Sequence, residues 1–135
     1  MSNYIVKISR AGLVNQIYWR RVYYAKLRRD WAKESKIVFM TKNGDSDEAF
    51  VGLGKIKIIY ELSALDTDER KDYIKNNYYS KIVFGTMVRF LPAIVISRMK
   101  FRSLSKTERP LLDGAYLSDS EVSMIEALAK MVIIY

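Results

Sequence analysis

The longest alternating stretch of the chain runs from Ala49 to Leu62, AFVGLGKIKIIYEL. Read with a period of two, Phe50, Gly52, Gly54, Ile56, Ile58, Tyr60 and Leu62 share one face, and Val51, Leu53, Lys55, Lys57, Ile59 and Glu61 share the other. This pattern predicts a long strand, apolar on one side and basic further along on the other. Gly52 and Gly54 remove side chains from the apolar face. Glycine inside a strand marks a bend of the sheet or a close approach by a ligand or another backbone. Both readings are open here, and the second makes these glycines the backbone of a candidate cleft.

The same periodicity orders the rest. Tyr4 to Ser9 alternates as a first strand, and after Gly12 a short helical pattern puts Leu13 and Ile17 on one face. Val22 to Lys26 reads as a short strand, and Leu27 to Ala32 as a turn or helical connection. Lys36 to Thr41, KIVFMT, is a compact buried strand. An acidic loop with an Asn43-Gly44 turn signal joins it to the glycine-bearing strand, which predicts an antiparallel hairpin. Asp66 stands three before Glu69 and opens a helix from about Thr67 to Tyr79. Gly85 interrupts Lys81 to Phe90, whereas Pro92 suits the start of a strand reaching Arg102. Ser118 and Glu121 form a capping box for a last helix that ends near Met131, leaving Val132 to Tyr135 as a closing strand. The total is five to seven strands with two or three helices at the edges. It predicts one α+β domain over residues 1–135, built as a small mixed barrel.

Composition narrows the chemistry. A chain of 135 residues fits one cored domain and is too short for two comfortable ones. With no cysteine and no histidine, the sequence excludes disulfides, thiolate metal sites, imidazole bases and Ser-His triads. Only Asp, Glu, Lys, Tyr and Ser are left for catalysis, so the expectation is a protein that is not an enzyme and needs no metal or cofactor. The net charge of +8 and a pI near 9.6 point to a polyanion or a membrane surface. The longest apolar runs, Leu91 to Ile96 and Met131 to Tyr135, fall far short of a spanning helix. The start, MSNYIVKISR, lacks the apolar core of a signal peptide. A cytoplasmic protein without a membrane role is expected.

Cations and rings concentrate in YWRRVYYAKLRRDWAKESK, which holds seven Lys or Arg and five aromatics between Tyr18 and Lys36. Polyanions need cations against their phosphates, and single-stranded bases need flat faces to stack on. Trp19, Arg20, Arg21, Tyr24, Lys26, Arg28, Arg29 and Trp31 are therefore candidate nucleic-acid ligands. The alternative is that the rings face the core while their charged neighbours face water. Arg98, Lys100 and Arg102 fall on one face of the predicted strand after Pro92. They would form a row about 13 Å long, able to follow a sugar-phosphate backbone or to guard a sheet edge. Asp45, Asp47 and Glu48 sit in a turn, and Asp66, Asp68 and Glu69 at a helix start where acids belong.

Four stretches carry a resemblance: Lys36-Ile-Val-Phe-Met, Val51-Gly-Leu-Gly-Lys-Ile-Lys-Ile-Ile, the strand around Pro92 to Phe101, and Asp113-Gly-Ala-Tyr-Leu before Ser118. In this order they resemble a family of small archaeal proteins of unassigned role in the PUA-like superfamily, which includes EVE and ASCH members. The resemblance implies a PUA-like pseudobarrel whose relatives bind RNA or lodge a modified base in a cleft. Relatives carry Gly-Asp before the strand equivalent to Ile37 to Met40, where this chain has Glu34-Ser35-Lys36. The aromatic pocket of EVE-type members makes Trp19, Tyr24 and Trp31 candidates for such a role. The expected function is a non-catalytic module that binds nucleic acid, RNA in preference to DNA. An assembly subunit, with Met131 to Tyr135 as a homodimer or partner interface, is the second reading. A nucleotide- or RNA-processing enzyme is the third.

Overall fold

The computed structural model describes residues 2–9, 11–43, 47–61, 66–76, 78–95 and 114–135. Among them β1 (Asn3–Ile8), α1 (Ala11–Arg20) and β2 (Val22–Ala25) are followed by the long hairpin of β3 (Lys36–Asn43) and β4 (Asp47–Glu61). Then come α2 (Thr67–Lys75), β5 (Ser80–Val95), β6 (Tyr116–Leu117), α3 (Asp119–Leu128) and β7 (Met131–Ile134). Both predicted caps form. Asp66 accepts from the Glu69 amide at 2.8 Å. Ser118 Oγ accepts from the Glu121 amide at 3.2 Å, while Glu121 Oε1 accepts from the Ser118 amide at 3.1 Å. Each cap satisfies backbone donors that a helix start leaves unpaired.

One mixed sheet runs in the order β2-β5-β4-β3-β1-β6. β1 and β3 are parallel, and the other neighbours are antiparallel. β5 serves two partners on its second edge: β2 along Ser80–Val83 and β7 along Met87–Phe90. The sheet is covered on both faces, as a mixed sheet of this kind must be to bury two apolar sides. On one face Ile5, Val38, Met40, Phe50 and Phe90 pack with Val122 and Ile125 of α3. On the other, Val6, Phe39, Ile56, Phe84 and Met87 pack with Val14, Ile17 and Tyr18 of α1.

Three expectations are corrected. First, β4 does not keep a strict period of two. Register shifts between Phe50 and Gly52, and again around Ile56, change its parity. Phe50 and Leu53 therefore share the α3 core, while Val51 and Ile56 go to the α1 side. Second, neither Gly85 nor Pro92 ends a strand, because β5 is continuous over 16 residues. Gly85 lies where β2 has stopped and β7 has not begun, and Pro92 lies between Arg89 and Ile94, where the β4–β5 register shifts and its missing N–H breaks no regular ladder. β5 is described as far as Val95, so the predicted continuation to Arg102 lies outside the described residues. Third, of the two readings of Leu27 to Ala32 the helical one falls, because the segment bends at Leu27 and continues without regular structure.

That irregular segment links the two ends of the sheet path, which do not pair as strands. Arg29 Nε donates to the Gly114 carbonyl at 3.0 Å, just before β6. Trp31 meets Tyr4 of β1 edge-on, with ring centroids 5.0 Å apart. Glu34 follows with φ 73 and donates its amide to the Ile56 carbonyl at 2.9 Å. The left-handed turn that suits a glycine is thus held by glutamate. Asn3, buried on β1, accepts from the Lys36 amide at 2.9 Å and donates to Asp119 at 2.8 Å. The Asn3 amide holds the Asp119 carboxyl below its ordinary range. The sheet does not close into a barrel among the described residues, and side chains rather than strand pairing tie its two ends. No helix among the described residues is long and apolar enough to cross a membrane.

Candidate nucleic-acid interface

Helix α1 has two working flanks. Leu13, Gln16, Ile17 and Arg20 recur at the spacing that keeps residues on one side of a helix. This flank faces Lys7 and Ser9 at the end of β1, Tyr23 and Tyr24 of β2, and Lys26 and Tyr78 beyond. Between them lies an open groove of about 500 Å³, within the roughly 300–1,000 Å³ usual for ligand sites. Tyr78 arrives because β2 pairs with the start of β5, with Ala25 opposite Ser80 and the Tyr79 amide donating to the Ala25 carbonyl at 2.8 Å. Tyr24 then stacks on Tyr78 at 5.4 Å and 24°.

Cations decorate these rings. Lys26 Nζ lies 5.6 Å from the Tyr78 centroid, and the Arg28 guanidinium 4.5 Å from that of Tyr79. Arg20 is exposed at the last turn of α1, and beside it Trp19 is 83% exposed. Lys7 is paired with Glu48 at 2.5 Å. No carboxylate among the described residues lines the groove. The arrangement offers flat faces for bases and positive charge for phosphates in one depression.

The residues singled out from the sequence thus separate. Arg20, Tyr24 and Lys26 line the groove, and Arg28 extends the ladder of cations and rings. Trp19 stands free of the core next to Arg20. Arg21 is bound elsewhere, its guanidinium donating to the carbonyls of Gly85 and Ile134 at 2.6 Å each. Arg29 and Trp31 belong to the segment that links the ends of the sheet. Gly52 and Gly54 do not open a ligand cleft. A Cβ at Gly52 would overlap the Tyr18 hydroxyl and the Val88 carbonyl, and one at Gly54 would lie 2.6 Å from the Phe84 ring. The space they leave is occupied by the protein's own side chains. Arg98, Lys100 and Arg102 lie outside the described residues, as does Asp45.

Sequence reading missed Lys7, Ser9, Gln16 and Tyr78. Extending the helical stripe from Leu13 and Ile17 would have found Gln16 with Arg20. Nothing local could have found Tyr78, which depends on strand pairing across more than fifty residues. Of the carboxylates, Asp66 caps α2, Glu48 pairs with Lys7 and Glu69 with Lys81 at 3.5 Å. On β7, Met131, Val132 and Ile133 are exposed.

The architecture has solved counterparts. An ASCH protein from Zymomonas mobilis superposes with a TM-score of 0.64 at 11% identity, covering 95% of this chain and 96% of that one. A YTH domain from Zygosaccharomyces rouxii, solved in complex with N6-methyladenosine RNA, superposes with a TM-score of 0.51 at 16% identity, covering 96% and 84%. The fold is PUA-like. At such identities the likeness concerns the fold. No protein-family model matches the sequence, and comparison with curated proteins gives no match.

Proposed function

We propose that this PUA-like domain binds single-stranded RNA in the groove between α1 and β2, without catalysing a reaction on it. The observation that carries this reading is the groove itself, where the Tyr24–Tyr78 stack adjoins Arg20 and Lys26 with no lining carboxylate among the described residues. Bases would stack against Tyr24, Tyr78 or the exposed Trp19. Phosphates would meet Arg20, Lys26 and Arg28. The choice of RNA over DNA is supported by the N6-methyladenosine RNA bound to the YTH neighbour. The non-catalytic reading is supported by a sequence without histidine or cysteine.

Titration of labelled single-stranded RNA, single-stranded DNA and duplex RNA over a range of salt tests this. If three phosphates are contacted, log K falls with log[salt] at a slope near −2, from about −0.7 per phosphate. Single-stranded RNA binds tightest and emerges intact. A slope near zero, or preference for the duplex, overturns the reading. A tight oligomer in sedimentation that retains no nucleic acid would favour the assembly role instead.

A further inference from the structure

The opposite flank of α1 borders a second, smaller hollow of about 190 Å³. Val14, Val51, Phe90 and Leu91 give it apolar walls, and Asn15, Tyr18, Thr41 and Arg89 add polar groups. It shares no lining residue with the groove, so whatever it does stands apart from RNA binding.

Arg89 is held in place by two neutral neighbours. It pairs with Gly52 across β4 and β5, and the bare Gly52 backbone admits the Tyr18 side chain beneath it. The Arg89 guanidinium lies 5.2 Å from the Tyr18 ring centroid and donates to Asn15 Oδ1 at 2.9 Å. Tyr18 in turn donates its hydroxyl to the Val51 carbonyl at 3.2 Å. Burial pushes that hydroxyl up to about 12, and like any phenol it is uncharged near neutral pH. No carboxylate among the described residues pairs with Arg89. Among the described residues, a planar cation therefore stands at a small apolar hollow without a carboxylate partner. Such a fork suits a carboxylate, and the apolar side chains beside it offer contact to a hydrocarbon body.

We propose that this hollow is a binding site for a small carboxylate carrying a compact apolar body. The Arg89 guanidinium takes the carboxylate, and the walls around Val14, Val51 and Phe90 take the hydrocarbon. Inorganic phosphate would use the charge but not the walls.

Amide-resolved NMR titration of the full chain distinguishes these outcomes. Isobutyrate is the probe, isobutyramide its uncharged counterpart, and inorganic phosphate the anion without a hydrocarbon body. Isobutyrate should produce saturable shifts at Asn15, Thr41 and Arg89 that isobutyramide does not reproduce. Arg89→Gln should weaken binding by roughly tenfold or more, the loss of a charge-assisted hydrogen bond. Ala93→Leu, which leaves the cation in place and fills the hollow, should abolish binding and decides the matter if Arg89→Gln fails to fold. Tyr24→Ala, across the helix, should leave it unchanged. Equal response to acid and amide, tighter binding of phosphate, or indifference to Ala93→Leu overturns the proposal.

Discussion

The guanidinium of Arg21 donates to the carbonyl of Ile134, 113 residues away, at 2.6 Å. Its other terminal nitrogen reaches Gly85 at 2.6 Å, and its own carbonyl accepts from the Phe84 amide at 2.9 Å. Arg21 thus fills the notch on β5 between the end of β2 and β7. Lysine cannot span both carbonyls from one point charge. Arg21→Lys should lower stability in urea by about 1–3 kcal/mol. Arg20→Lys, one residue earlier and exposed, should stay within about 0.5 kcal/mol.

Glu34 holds φ 73, where a side chain is disfavoured. Its ion pair with Lys55 at 2.8 Å is largely exposed and contributes little. Glu34→Gly should therefore raise stability by up to about 1 kcal/mol, after allowing for the greater freedom of glycine in the unfolded chain. A higher urea midpoint with an unchanged slope is the expected reading; a lower midpoint would mean that the pair with Lys55 outweighs the strain.

The strand glycines are not equivalent. Gly54→Ala places a methyl 2.6 Å from Phe84, a ring only 2% exposed, and should cost about 1–3 kcal/mol. At Gly85 the nearest atom to a new Cβ is 3.6 Å away, so Gly85→Ala should be neutral or stabilising by about 0.5–1 kcal/mol. Thermal unfolding of the two variants measures the contrast.

Tyr18 makes an alkaline prediction. With its hydroxyl pushed from 10.0 to about 12 by burial, the folded state retains a proton that the unfolded state has lost between these values. The contribution is intact below pH 10 and declines as pH rises through about 12, a loss of roughly 2–3 kcal/mol. Comparing the wild type with Tyr18→Phe isolates it, because other groups titrate alike in both. Parallel stability curves from pH 9 to about 12 would contradict the assigned burial.

Binding variants should split by role. Tyr24→Ala should weaken single-stranded RNA binding by about 1–3 kcal/mol with little change in salt slope. Arg20→Ala with Lys26→Ala should make the slope shallower by about 1.4. Arg29→Ala should leave the slope unchanged and reduce stability instead, because its guanidinium is occupied by Gly114. Salt-dependent anisotropy and urea unfolding on the same samples give both readouts.

Local rules made much of the fold legible. The Asp66 and Ser118 caps, the β3–β4 hairpin and the strand at β1 all rest on neighbours within a few residues, and all appear, although β1 is buried on both faces. What failed was decided at a distance. Gly85 and Pro92 looked like breaks because their tolerance depends on where β2, β4 and β7 pair. The parity of β4 was lost to bulges that alternation cannot register. In the candidate site, Arg20, Tyr24 and Lys26 were visible as a cluster of charge and rings. The same composition gave no sign that Arg21, Arg29 and Trp31 would turn to backbone carbonyls and a core ring, since a side chain's partner across the sheet is not written beside it.

A single helix stands as the party wall of both hollows, with Leu13, Gln16, Ile17 and Arg20 on one flank and Val14, Asn15 and Tyr18 on the other. Ten residues thus furnish two rooms with no side chain in common, so either can be refitted by substitution while the lining of the other is left as it was.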